Sequence, residues 1–255
     1  MSRTPVVGGN FKCNGTVKFI QEHAEVLKKI ENNGVEVFVC PTALHSSLLQ
    51  SLMAGSHVEV AAQNMYFQKP GAWTGELAGE LLVDAGIKTT LIGHSERRRI
   101  MGESNEESAK KAKRALELGL KVVFCIGETL AEREANQVDA VNFAQLEALR
   151  LITVEADWKN IVVAYEPVWS IGTGVVASPA QAQTVHESLR KWFAEKVSAK
   201  VAQEIRIQYG GSVNAKNCAE LSSCKDIDGF LVGGASLKPE FLDIVKILGD
   251  TKKKM

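Results

Sequence analysis

Short runs of β-branched and apolar residues recur along the whole chain, and longer stretches with an apolar residue every three or four positions lie between them. The short runs predict strands at Val6–Asn10, Val35–Cys40, Val58–Gln63, Thr90–Gly93, Lys121–Ile126, Ile161–Tyr165, Ile205–Tyr209 and Gly229–Val232. A run such as Ile161-Val162-Val163 shows no polar alternation, as a strand covered on both faces requires. The longer stretches carry helical spacing: Val17, Ile20, Ala24, Leu27 and Ile30 mark one helix from Val17 to Ile30, and Val138–Leu151 and Val185–Val197 read the same way. Ser178 followed by Pro179 predicts an N-cap and a first-turn proline. Asn105 with Ser108 and Ser104 with Glu107 are candidate capping pairs.

Strands that alternate with helices predict a parallel sheet. Eight such units in 255 residues predict closure into an α/β (β/α)8 barrel, eight parallel strands surrounded by helices, with an open doubly wound sheet as second choice. No linker or charge block divides the chain, so residues 1–255 are expected to form one domain.

Composition narrows the function classes. Apolar content of 45% and charged content of 24% are ordinary for a globular protein. The formal net charge is zero, so no global field recruits nucleic acid or a membrane surface, and any anion site must be local. Cys13, Cys40, Cys125, Cys218 and Cys224 are odd in number and lack Cys-x-x-Cys spacing, which predicts free thiols in a reducing compartment, hence a cytoplasmic protein. No apolar run reaches membrane-spanning length, no apolar leader opens the chain, and no His or carboxylate pair shows metal-ligand spacing.

The chemistry-bearing residues fall where the strands should end, the face on which such barrels build sites. Glu166 closes the sixth strand and Pro167 stops it. Asn10 and Lys12 follow the first strand, Gln63 and Asn64 the third, His94-Ser95-Glu96 the fourth, and Gly127-Glu128 the fifth. Lys12 is a point charge suited to a phosphate or an enolate oxygen. His94 precedes a short helix whose N-terminus disfavours the imidazolium, so a neutral hydrogen-bond donor is expected. His23, His45, His57 and His186 are read as structural. Gly210-Gly211-Ser212 and Gly233-Gly234 follow the last two strands and suit a phosphate cradled by main-chain amides. Gly172 and Gly174 sit in a loop after Glu166 that could close over that phosphate. They match a dinucleotide fingerprint loosely, but six residues separate Gly172 from Tyr165, and a Rossmann turn allows no such gap.

Taken in order, Asn10-x-Lys12, Thr74-Gly-Glu76, Ile92–Arg98, Cys125–Glu128, Ala164–Trp169 with Gly172-Thr-Gly174, Tyr209–Val213 and Leu231–Leu237 resemble the triosephosphate isomerase family, from Gly9 to Leu237. Phe11 and Val175 depart from it, standing where Trp and Lys are usual. The resemblance implies a TIM barrel that interconverts dihydroxyacetone phosphate and D-glyceraldehyde 3-phosphate through an enediol, in glycolysis and gluconeogenesis, with no cofactor. It implies that Glu166 moves the carbon-bound proton and His94 polarises the carbonyl. Lys12 and Asn10 would stabilise the enolate oxygen and the phosphate, and Glu96 would hold Lys12 or the His94 region. Gly172, Gly211, Ser212, Gly233 and Gly234 would bind the phosphate, and Val168 to Ala177 would close over it. It implies a homodimer in which the loop Tyr66 to Gly79 enters the partner near Cys13. The competing readings are an epimerase or Schiff-base aldolase on the same barrel, and a non-catalytic phosphate-metabolite binding protein. The first lacks its metal cluster or mid-barrel lysine; the second would have lost Glu166 or His94.

Overall fold

A computed structural model describes residues 3–170 and 177–255. Eight strands form one all-parallel sheet: β1 Val6–Asn10, β2 Glu36–Cys40, β3 Val58–Val60, β4 Thr89–Ile92, β5 Lys121–Ile126, β6 Ile161–Tyr165, β7 Arg206–Tyr209 and β8 Gly229–Val232. Their order is β3-β2-β1-β8-β7-β6-β5-β4. The edges meet through Ala62, whose N–H donates to Thr89 O at 2.9 Å and whose C=O accepts from Leu91 N at 2.8 Å. The closed barrel is therefore the observed topology, and the open doubly wound sheet is excluded.

Strand limits differ from the expected ones for local reasons. The third strand stops at Val60 rather than Gln63, because Ala62 leaves β2 to bridge β4. β4 ends at Ile92, since Gly93 takes φ +73°, a left-handed turn that no strand continues. β7 begins at Arg206, because Ile205 still caps the helix Ala199–Glu204. The helix expected at Val185–Val197 begins earlier, at Pro179, and ends at Lys196. There Ser178 Oγ accepts from Gln181 N at 3.2 Å and Gln181 Oε1 accepts from Ser178 N at 2.9 Å. The first helix ends at Leu27, not Ile30. Of the two candidate capping pairs, Ser104 with Glu107 forms; Asn105 instead accepts from Arg98 through Oδ1.

The strands are buried on both faces, which is why they lack alternation. Val6, Phe38, Cys40, Leu91, Val123, Cys125, Val162 and Leu231 fill the lumen, while a larger apolar layer lies between sheet and helices. This two-layer packing fixes the strand axes, so side chains at the strand ends are held on a rigid frame. Among the described residues, no helix is long and apolar enough to cross a membrane.

Candidate active site

Glu166 follows β6 and is 2% exposed. Its N–H donates to Ile126 O at 2.7 Å, seating its backbone on the end of β5. Oε2 accepts from Ser95 N at 3.2 Å, and Oε1 lies 3.0 Å from His94 Nε2. A Cβ on Gly210 would lie 2.8 Å from Glu166 Cγ, so the first glycine after β7 makes room for the carboxylate.

His94 caps the helix Ser95–Ile100, and its Nδ1 accepts from Glu96 N at 3.2 Å. With Nδ1 an acceptor, the neutral ring carries its proton on Nε2, facing Glu166. The expectation that the helix end keeps the ring neutral needs amendment. Burial does disfavour the imidazolium, but the Glu166 carboxylate and its hydrogen bond outweigh it and hold the pKa above the ordinary 6.5. The helix end selects the tautomer; the carboxylate governs how readily a second proton is taken up.

Lys12 adopts φ +52°, a left-handed conformation uncommon for a side-chain-bearing residue. Two bonds hold it there: Lys12 N donates to Asn10 Oδ1 at 2.9 Å, and Lys12 O accepts from Gln63 Nε2 at 2.7 Å. Lys12 Nζ then reaches Glu96 Oε1 at 2.8 Å. Burial alone would raise the Glu96 pKa; the Lys12 hydrogen bond and the nearby His94 lower it below 4.5.

Asn10, Lys12, His94, Glu166, Gly210, Gly211, Ser212, Gly233 and Gly234 line one cavity of about 390 Å³ at the C-terminal end of the barrel. Glu96 lies beyond Lys12, in a neighbouring cavity of about 220 Å³ that also touches Cys13, Gln63 and Arg97. A Cβ at Gly234 would meet nothing within 4 Å, and one at Gly233 nothing nearer than Lys12 Cε at 3.7 Å, so this backbone is open to close approach. The N–H of Ser212, expected to face a phosphate, points instead to Ser170 Oγ at 3.3 Å, and Ser212 Oγ donates to Ser170 O at 2.5 Å. Gly172, Gly174 and Val175 lie outside the described residues.

A profile of the triosephosphate isomerase family matches residues 5–248. The chain belongs to the triosephosphate isomerase family. It is 52% identical to the triosephosphate isomerase of Coprinopsis cinerea over 247 residues, covering 96% of this chain and 98% of that one. It is 48% identical to the Neurospora crassa triosephosphate isomerase over 246 residues, with the same two coverages. It is 50% identical to the cytosolic triosephosphate isomerase of Oryza sativa subsp. japonica over 248 residues, covering 96% of this chain and 97% of the relative.

Within this family member, the sequence placed Gln63 and Glu128 at strand ends but showed neither the hold of Gln63 on Lys12 nor the network around Glu128. Glu128 is fully buried. Its Oε1 accepts from Tyr165 Oη at 3.0 Å, Trp169 Nε1 at 3.0 Å and Arg133 at 3.1 Å, and its Oε2 accepts from Asn142 Nδ2 at 3.2 Å. It ties the segment after Glu166 to the barrel. The Cys125–Glu128 motif was visible in the sequence, but its donors come from three other segments.

Proposed function

We infer that the described cavity is the catalytic site of an isomerase interconverting dihydroxyacetone phosphate and D-glyceraldehyde 3-phosphate. The family carries this activity, and the observation that supports these residues as its machinery is the convergence of Glu166 and His94, 3.0 Å apart, on the cavity that Lys12 and the glycine pairs also line. Glu166 removes the proton from one substrate carbon and returns it to the neighbouring carbon. The Nε2–H of His94 polarises the carbonyl and passes protons between the two oxygens of the enediol. The Lys12 ammonium, supported by Asn10, stabilises the enolate oxygen and the phosphate. Glu96 holds Lys12 in that position. The main-chain amides of Gly211, Gly233 and Gly234 bind the phosphate, Ser212 joins them by exchanging Ser170 Oγ for a phosphate oxygen, and Gly172 completes the set. The reaction is intramolecular and balances with proton transfers alone, so no cofactor has a step to perform.

The chain works as one catalytic domain, in the cytoplasm, as a homodimer. Leu44, Ile100 and Met101 are 86%, 71% and 64% exposed, which is apolar surface for a partner to cover. The loop Tyr66 to Gly79 packs Tyr66 against Trp73 with ring centroids 5.3 Å apart, and it would enter the partner's 220 Å³ cavity beside Cys13. The activity is tested by a coupled assay with glyceraldehyde 3-phosphate. The expected result is dihydroxyacetone phosphate formation with no metal or organic cofactor supplied to the isomerase. Absence of turnover by folded protein would remove the isomerase reading.

A further inference from the structure

Gln145 lies on the buried face of the helix Val138–Arg150 and is 8% exposed. Its Oε1 accepts from Gly127 N at 2.8 Å, and its Nε2 donates to Gly127 O at 3.2 Å. Gly127 comes directly after Ile126, the last residue of β5 paired with β6. Ile126 O and Glu128 O face the β6 side, so the side-chain amide takes up both main-chain groups of Gly127 on the side away from β6. Three residues earlier on the same helix, Asn142 Nδ2 donates to Glu128 Oε2. One helix face thus grips two successive residues at the end of β5.

Those residues are the seat of Glu166. The Glu166 N–H donates to Ile126 O at 2.7 Å, and Val168 N donates to Glu128 O at 3.0 Å. Gly127 touches the Glu166 peptide so closely that a Cβ on it would lie 1.8 Å from Glu166 O. No side chain intervenes, so the backbone of Gly127 bears directly on that of Glu166.

We propose that Gln145 is a positioning residue for Glu166, acting through Gly127, whose N–H and C=O it both holds. This rests on the reading of Glu166 as the proton-transferring group. A carboxylate that takes a proton from carbon must stay within hydrogen-bonding reach of it, and a displacement of about 1 Å costs on the order of 10²-fold in rate. Gln145 is not among the described residues that line the cavity, so its loss should act on turnover rather than on binding.

The test compares Gln145→Leu with the parent for kcat, KM and inhibition by inorganic phosphate, with thermal unfolding as a check on folding. Expected is a fall in kcat of roughly tenfold to a hundredfold, while KM and the phosphate inhibition constant stay within about threefold. Gln145→Met, closer in length, serves if the leucine variant does not fold. A folded Leu or Met variant with kcat within about twofold of the parent would overturn the proposal. So would loss of phosphate affinity in step with kcat, which marks a general collapse of the site. Glu166→Gln, assayed alongside, separates the two readings. A near-parent rate there would sink the assignment of the base itself; an inactive Glu166→Gln beside a normal Gln145→Leu would sink only the positioning role.

Discussion

His94 Nε2 stands 3.0 Å from Glu166 Oε1, with the two residues placed just after β4 and β6 and both almost fully buried. Each sets the other's chemistry: the ring gives the carboxylate a hydrogen-bond donor, and the carboxylate raises the ring's pKa against the effect of burial.

Glu166→Gln is expected to lower kcat by on the order of 10²–10⁴ while the fold survives. With the carboxylate gone, burial and the Lys12 charge are opposed only by Glu96, and the His94 titration should move down, which NMR of the ring protons would follow. An unmoved His94 would contradict the coupling. The raised folded pKa also carries a stability sign. The protonated pair contributes fully below the unfolded value of about 6.5, and that contribution is lost as pH rises through the higher folded value.

Lys12→Ala should raise KM and lower kcat together, because in the proposed mechanism one ammonium serves both the phosphate and the developing enolate charge. The combined loss in kcat/KM is expected to be on the order of 10²–10³. Steady-state kinetics with unchanged Michaelis parameters would remove Lys12 from the machinery.

Cys13 is exposed in the single chain and borders the cavity into which the Tyr66 to Gly79 loop of a second copy is proposed to fit. Attaching a bulky thiol reagent there should dissociate the dimer and reduce activity. Sedimentation and assay of the labelled protein check this. Labelling at Cys13 that alters neither mass nor rate would refute the interface.

His186 is wholly buried, and its pKa falls to about 3: burial dominates and the Arg190 and Lys252 charges add to it, against a hydrogen bond with Asp226 O at 3.1 Å and the Asp226 charge. Its ring packs against Tyr165 and Tyr209. The unfolded chain takes up a proton below about 6.5 that the folded protein refuses. Stability is therefore present above that pH and falls between about 6.5 and 3, by roughly 1.4 kcal/mol per pH unit. Urea unfolding at fixed protein concentration from pH 7 to pH 4 should show this slope, and His186→Phe should remove it. Equal slopes in parent and variant would show that other groups carry the acid sensitivity.

The amino-acid sequence determined a parallel sheet covered by helices, because period is a local property; its closure into a barrel was decided by the tertiary bridge at Ala62. Unbroken runs such as Ile161–Tyr165 require burial on both faces, and only sheets covered by helices provide it. It also determined which candidate reacting groups lie at the strand ends, since a strand end is marked by its own residues, such as Glu166 with Pro167. The tertiary structure alone decided how those groups are held. The left-handed turn of Lys12 depends on Gln63, the tautomer of His94 on Glu96 N–H, and the seat of Glu166 on Gly127 and Gln145. It also turned the Ser212 amide toward Ser170, where a phosphate contact had been expected. Each of these is a bond between side chain and backbone whose direction is set by packing and φ/ψ, and hydrophobic spacing along a chain carries no record of direction.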